Sequence, residues 1–281
     1  MNGGVNGGVN AGAPLPGDWQ DWVRLNVARG CSRNSMLQPM LAAGFDEAVA
    51  AAAIDAQPPH RGGARPQLCS AANTIQVEGQ AVRVVMVLEA PQVIVFENLL
   101  SESECAALAA LAEGRMAPST VVDDAGGPSV SHHHRSSHGA FFSNGEGPLI
   151  AAIEARIATL LTWPASHGEG LQVLRYAVGG EYRAHFDYFD PTKPGSAPHL
   201  ARGGQRVGTL VMYLGDVAEG GGTRFPTLGL ELRPRRGGAV YFASVNAQGD
   251  TDPATLHAGM PVLQGVKLIA TKWLRERMFA G

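Results

Sequence analysis

The chain has 281 residues, a formal net charge of -3 and a pI near 6.3. That length can bury a sizeable core, and the charge balance gives no basic footprint for nucleic acid or an anionic membrane surface. Cys31, Cys69 and Cys105 are widely spaced and odd in number, which excludes a disulfide framework. No basic-then-apolar leader opens the chain, and no apolar run nears the roughly 20 residues that span a bilayer. The expectation is a soluble, cytoplasmic protein with no membrane and no nucleic-acid partner. The 36 glycines and sparse aromatics suit a loop-rich β architecture.

Residues 1–16 repeat Asn-Gly-Gly-Val and then carry Gly12, Pro14 and Pro16, a composition that predicts a disordered tail. Order should begin near Asp18, an N-cap for a helix with Trp19, Trp22, Val23 and Val27 at helical spacing, ended by Gly30. A short apolar stretch around Met36, Leu37 and Leu41 closes at Gly44, and Asp46 caps a third helix reaching Ile54. Residues 17–56 thus form a small helical appendage. Its five acidic and three basic residues argue against a DNA-reading helix-turn-helix. Pro58, Pro59, Gly62, Gly63 and Pro66 mark 57–80 as a linker, leaving 81–281 as the main domain.

That domain opens with strands at Val82–Leu88 and Gln92–Glu97. Ser101 and Glu104 make a capping box before an alanine-rich helix that Gly114 terminates. Residues 115–138 read as a surface loop. Pro148 fits the first turn of a helix whose stripe is Leu149, Ile153, Ile157, Leu160 and Leu161, stopped by Pro164. Beyond it come strands at Leu171–Val178, Gly208–Leu214, Leu228–Leu232, Gly238–Ala243 and Val266–Arg275, punctuated by glycine pairs. The fold class is α+β, mainly β, with a jelly-roll core buttressed by helices.

The chemistry begins with His185-Phe186-Asp187. Side chains two apart on a strand share a face, so an H-x-D step aims an imidazole and a carboxylate at one point. By itself such a tripeptide is weak evidence. A second imidazole, His257, stands 70 residues after Asp187. Two imidazoles and one carboxylate are the set that leaves adjacent positions open on iron(II). On the last strand Lys267, Ile269, Thr271 and Trp273 share one parity. If that face is interior, Lys267 is a buried cation that needs an anion, and the far carboxylate of a 2-oxo acid would serve. His132, His133, His134 and His138 read as solvated loop residues, and Cys105 as a small buried hydrophobe.

From about Val93 to Arg275, roughly two thirds of its length, the chain resembles the prolyl 4-hydroxylase catalytic domain of the iron(II)/2-oxoglutarate dioxygenases. The matching text is Leu-Gln-Val-Leu-Arg-Tyr at 171–176, Gly-Glu-Tyr-Arg-Ala-His-Phe-Asp at 180–187, Tyr-Leu-Gly-Asp at 213–216 and Gly-Gly-Gly-Thr-Arg-Phe-Pro at 220–226. It closes with the run from His257 to Lys267 and with Lys272-Trp273. The resemblance implies a double-stranded β-helix, iron held by His185, Asp187 and His257, and 2-oxoglutarate contacted by Lys267, Tyr176 and Thr223. It implies O2 as oxidant, ascorbate as reductant, and release of succinate and CO2 as a C–H bond is hydroxylated. A peptidyl proline is the expected substrate, with Arg135, Ser137, Glu169, Arg206 and Trp273 as peptide contacts. Arg275 stands where some relatives carry histidine, which leaves peptide preference open. Two alternatives remain: a hydroxylase of a free amino acid or other small molecule, and an inactive metal-binding interaction module. The sequence does not fix the oligomeric state.

Overall fold

A computed structural model describes residues 15–28, 33–56, 65–119 and 136–279. Residues 1–14 of the tail expected at 1–16, the stop at Gly30, the first third of the linker (57–64), Arg135 and His132–His134 lie outside the described residues, and Leu15, in the rest of that tail, is buried. Three helices, α1 (Gly17–Ala28), α2 (Arg33–Ala42) and α3 (Glu47–Asp55), pack Val23, Met36, Met40 and Ile54 into a small core of their own. Asp46 caps α3 as predicted, accepting from the amides of Ala48 and Val49 at 2.9 and 3.3 Å. Asp18 lies inside the first turn of α1 rather than at its cap, where a carboxylate still suits the positive end of the helix dipole.

Strands β1 (Thr74–Val77), β2 (Gln80–Glu89) and β3 (Gln92–Glu97) form the first meander. β1 corrects the linker expectation. Glu78 and Gly79, at φ 45° and 76°, make a tight turn that folds it back on β2 and buries Ile75 and Val77. Two apolar side chains in four residues were too short an alternation to stand out beside the Pro/Gly-rich stretch. α4 (Glu102–Glu113) starts at the predicted capping box, Ser101 and Glu104 each satisfying the other's amide. β4 (Ala117–Pro118) and β5 (His138–Phe142) occupy the two ends of the segment expected as a surface loop. α5 (Gly147–Leu160) has its Pro in the first turn and buries Ile150, Ile153, Ile157 and Leu160.

The remaining strands are β6 (Leu171–Tyr176), β7 (Tyr182–His185), β8 (Arg206–Tyr213), β9 (Glu219–Gly220), β10 (Thr223–Phe225), β11 (Leu230–Leu232), β12 (Ala239–Ala243), β13 (His257–Gly259), β14 (Val262–Gln264) and β15 (Lys267–Arg275); a short helix, α6 (Ala197–Ala201), precedes β8. They assemble a large antiparallel sheet in the order β1-β2-β3-β12-β8-β15-β6-β5-β4, a small sheet β11-β10-β13-β7, and a ribbon β14-β9. β8, β12 and β15 are buried almost throughout because both faces are covered. One face meets α4 and α5 through Leu108, Ile153, Leu210, Met212, Tyr241 and Ala270. The other meets the small sheet through Val211, Tyr213, Phe225, Val240, Phe242 and Ile269. This is the helix-buttressed jelly-roll that the strand pattern predicts, and the gap between the two sheets holds the site.

On the helix side of β15, Lys272 is 1% exposed and its ammonium meets Glu154 Oε1 at 2.5 Å and Asn144 Oδ1 at 2.8 Å. Removing one partner of such a pair strands the other charge in a low-dielectric interior. Glu154→Ala should lower unfolding free energy by about 3–5 kcal/mol in urea titrations. The double replacement Lys272→Met with Glu154→Leu should recover most of that loss.

Candidate active site

β7 ends at His185 and β13 begins at His257, and the two residues are direct partners across the small sheet. Their ring centroids lie 4.3 Å apart. Each Nδ1 faces a backbone carbonyl two residues upstream, His185 to Arg183 at 2.8 Å and His257 to Thr255 at 3.1 Å. A carbonyl only accepts, so Nδ1 carries the proton and Nε2 presents its lone pair. Those Nε2 atoms are 3.7 and 3.6 Å from the two oxygens of Asp187. The three donor atoms lie within 4.8 Å of one another.

Asp187 reaches this point differently from the strand alternation expected. It lies two residues past the end of β7, in a bend. Thr209 on β8 turns it inward, its hydroxyl donating to Asp187 Oδ2 at 2.7 Å. Burial would raise the Asp187 carboxyl. Electrostatic attraction toward His257 and His185, the Arg206 guanidinium and the Thr209 bond outweigh that and hold it at about 2. Two neutral imidazole nitrogens, one permanently ionised carboxylate, and a second bond orienting each ligand fit a divalent ion such as iron(II).

Beside this cluster the cavity is walled by β15. Lys267, Ile269, Thr271 and Trp273 all line it, as their shared parity predicts, together with Tyr176 and Thr223. Lys267 is 3% exposed. Its ammonium lies 3.4 Å from the Gly222 carbonyl and 5.7 Å from the Tyr176 ring centre. Among the described residues no carboxylate pairs with it. Burial pushes it down to about 8, against a weaker upward pull from Glu231. Gly221, at φ +65°, adopts a backbone conformation that favours glycine beside the lysine stem. Thr223 is buried and accepts a 2.8 Å bond from the Tyr213 hydroxyl. Thr209 and Tyr213 were missed by the sequence reading, although β8 alternation places both on the inner face with Val211.

Glu169, Arg206 and Trp273, expected as peptide contacts, do come together. Arg206 grips Glu169 with two bonds of 2.5 and 2.8 Å and lies 4.1 Å above the Trp273 ring. Ser137 is 4% exposed and its hydroxyl is engaged within the chain, donating to Ser119 at 2.9 Å. Arg135 is outside the described residues.

Comparison with known proteins follows the same lines. The profile of the 2OG-Fe(II) oxygenase superfamily matches residues 171–275. The chain is 42% identical to prolyl 4-hydroxylase 1 of Arabidopsis thaliana over 202 residues, 66% of this chain and 70% of that protein. It is 40% identical to a probable prolyl 4-hydroxylase 3 of the same plant over 203 residues, 66% of this chain and 69% of that protein. The solved viral collagen prolyl hydroxylase of Paramecium bursaria Chlorella virus-1, in its 2OG complex, is similar with a TM-score of 0.52 and 29% identity, covering 65% of this chain and 95% of that one.

The lysine makes a pH signature. Its folded pKa of about 8 lies below the ordinary 10.5, so the unfolded chain holds the proton more tightly between those values. Stability of the ligand-free protein should therefore rise through that window, and the cost is fully present below it. Lys267→Met should stabilise the ligand-free protein at neutral pH by on the order of 3 kcal/mol, and the wild-type-minus-variant difference should close as pH climbs, as read by urea unfolding. A separate test concerns the missed threonine: Thr209→Val should weaken divalent-ion binding about 10–100-fold by titration calorimetry.

Proposed function

The chain belongs to the prolyl 4-hydroxylase family of 2OG-Fe(II) oxygenases, and on that premise we propose that it hydroxylates prolyl residues within peptides or proteins at the cavity between its two sheets. What carries the reading is a single arrangement: the His185–Asp187–His257 cluster opens into the same cavity as a buried, carboxylate-free ammonium at Lys267. Iron(II) with 2-oxoglutarate and O2 supplies oxidative decarboxylation coupled to hydroxylation, one oxygen atom entering succinate and the other the substrate C–H bond, with loss of CO2.

The residues divide that work. His185, Asp187 and His257 would hold the ion, three protein donors being few enough to leave room for a cosubstrate beside it. Lys267 receives the distal carboxylate of 2-oxoglutarate, which turns an unfavourable buried charge into a paired one. The Tyr176 and Thr223 side chains line the cavity near that end and bound the cosubstrate. Thr223 is held in place by Tyr213. Burial of the cavity walls keeps bulk water from the reacting centre. At the opposite end Trp273, Arg206 and Glu169 form the surface against which the peptide would lie, and ascorbate would be the reductant that maintains the iron.

The decisive assay measures succinate formed from 2-oxoglutarate with iron(II) and oxygen, and hydroxyproline in proline-rich peptides against free proline. Peptide turnover is expected, with Asp187→Ala lowering it roughly 100-fold or more. Hydroxylation confined to free amino acids would overturn the peptide assignment. Equal succinate in wild type and variant would instead mark the chain as an inactive metal-binding module.

A further inference from the structure

Between Asp187 and β8 the chain makes a long excursion over residues 188–204, carrying α6. Several side chains tie it down. The Gln205 amide accepts from the Phe189 N–H at 2.8 Å and donates to the Phe189 carbonyl at 2.7 Å. The Phe189 ring stacks on His199 with centroids 4.9 Å apart. The guanidinium groups of Arg206 and Arg275 lie 4.9 and 5.1 Å from that same ring.

Arg275 is the deepest of these groups, at 1% exposure. One end of its fork donates to the carbonyls of His199 and Arg202, the latter at 2.7 Å. The other donates to Glu169 Oε1 at 3.3 Å. Glu169 in turn holds Arg206, which reaches the Asp187 carbonyl at 3.4 Å and covers Trp273. A single planar side chain thus connects the backbone of the excursion to the carboxylate that orients the mouth of the cavity. A lysine could keep the charge beside Glu169 but has no fork to serve two carbonyls as well.

We infer that Arg275 is a positioning residue for the peptide: it docks the 188–204 segment against Glu169 and so fixes where Phe189 and Arg206 stand at the entrance. This rests on the proposed hydroxylation of peptides. It assigns to Arg275 no contact with iron or with 2-oxoglutarate. Arg275→Lys should therefore raise the peptide KM about tenfold or more while leaving kcat and the peptide-independent conversion of 2-oxoglutarate within about twofold. Amide hydrogen exchange over 188–204 should quicken in the same variant, and nowhere comparably in β6, β8 or β12.

A second variant guards against loss of fold at so buried a position. Phe189→Leu removes the ring that both guanidinium groups flank and leaves Arg275 intact. It should shift peptide KM in the same direction, and the double variant should fall well short of the product of the two single effects. Unchanged peptide KM and unchanged exchange in Arg275→Lys would overturn the inference. So would equal loss of peptide-independent succinate formation in a folded variant, since that places Arg275 in service of the metal core. Wild-type protein that makes succinate but hydroxylates no peptide would instead sink the peptide reading itself, before Arg275 is at issue.

Discussion

A buried ammonium with no paired carboxylate among the described residues is the constraint on which this molecule turns. β15 carries two buried lysines on opposite faces, and their treatment differs. Lys272, on the helix side, is met by Glu154 and Asn144. Lys267, on the cavity side, meets a carbonyl and an aromatic ring and is pushed down to about 8 by burial. It cannot snorkel to solvent. β15 lies between β8 and β6 in the middle of the large sheet, which fixes the direction of the side chain, and Lys267 is only 3% exposed. A folded state that keeps such a charge must offset its cost by packing elsewhere, or have the charge answered from outside. Here the surrounding strands are buried on both faces and supply the first; the second would come from an anionic ligand entering the cavity.

The same sheet explains why three donors from separated segments converge. His185 and His257 are neighbours because β7 and β13 pair directly, so the small sheet alone brings the imidazoles together across a long stretch of sequence. Asp187 is added by the large sheet, through Thr209 on β8. The centre therefore requires both sheets at their observed separation. The apolar layer between them, with Phe225 and Phe242 stacked edge-on at 5.3 Å, sets that separation.

How much of this was legible in the sequence depended on the length of each pattern. β15 and β8 are long, so their alternation placed Lys267, Ile269, Thr271 and Trp273 on one wall correctly. β1, β7, β10 and β13 have three or four residues each, too few for any periodicity to speak. The H-x-D step led to the right pair by an argument the structure does not follow, since Asp187 has already left the strand. The meeting of His257 with that pair is a tertiary fact, reachable from sequence only through the family likeness. Thr209 and Tyr213 were within reach of the β8 alternation. A threonine and a tyrosine on an apolar strand look like packing until their hydroxyl partners are seen.

The buried cations of the main domain separate by where their counter-charge resides. Arg156 meets Glu104 at 2.7 Å, Lys272 meets Glu154 and Arg275 meets Glu169, each inside the chain. These pairs hold α5 to the α4 cap, β15 to α5, and the 188–204 segment to the cavity mouth. A pair complete within the fold gains little from a ligand, because its desolvation has been balanced already and any new anion must displace an old one. Lys267 is the exception among the buried cations of the described residues, and an incoming carboxylate there displaces no protein partner. The unanswered charge is thereby confined to the cavity face of β15, while Arg206 and Arg275 at the entrance are already paired with Glu169.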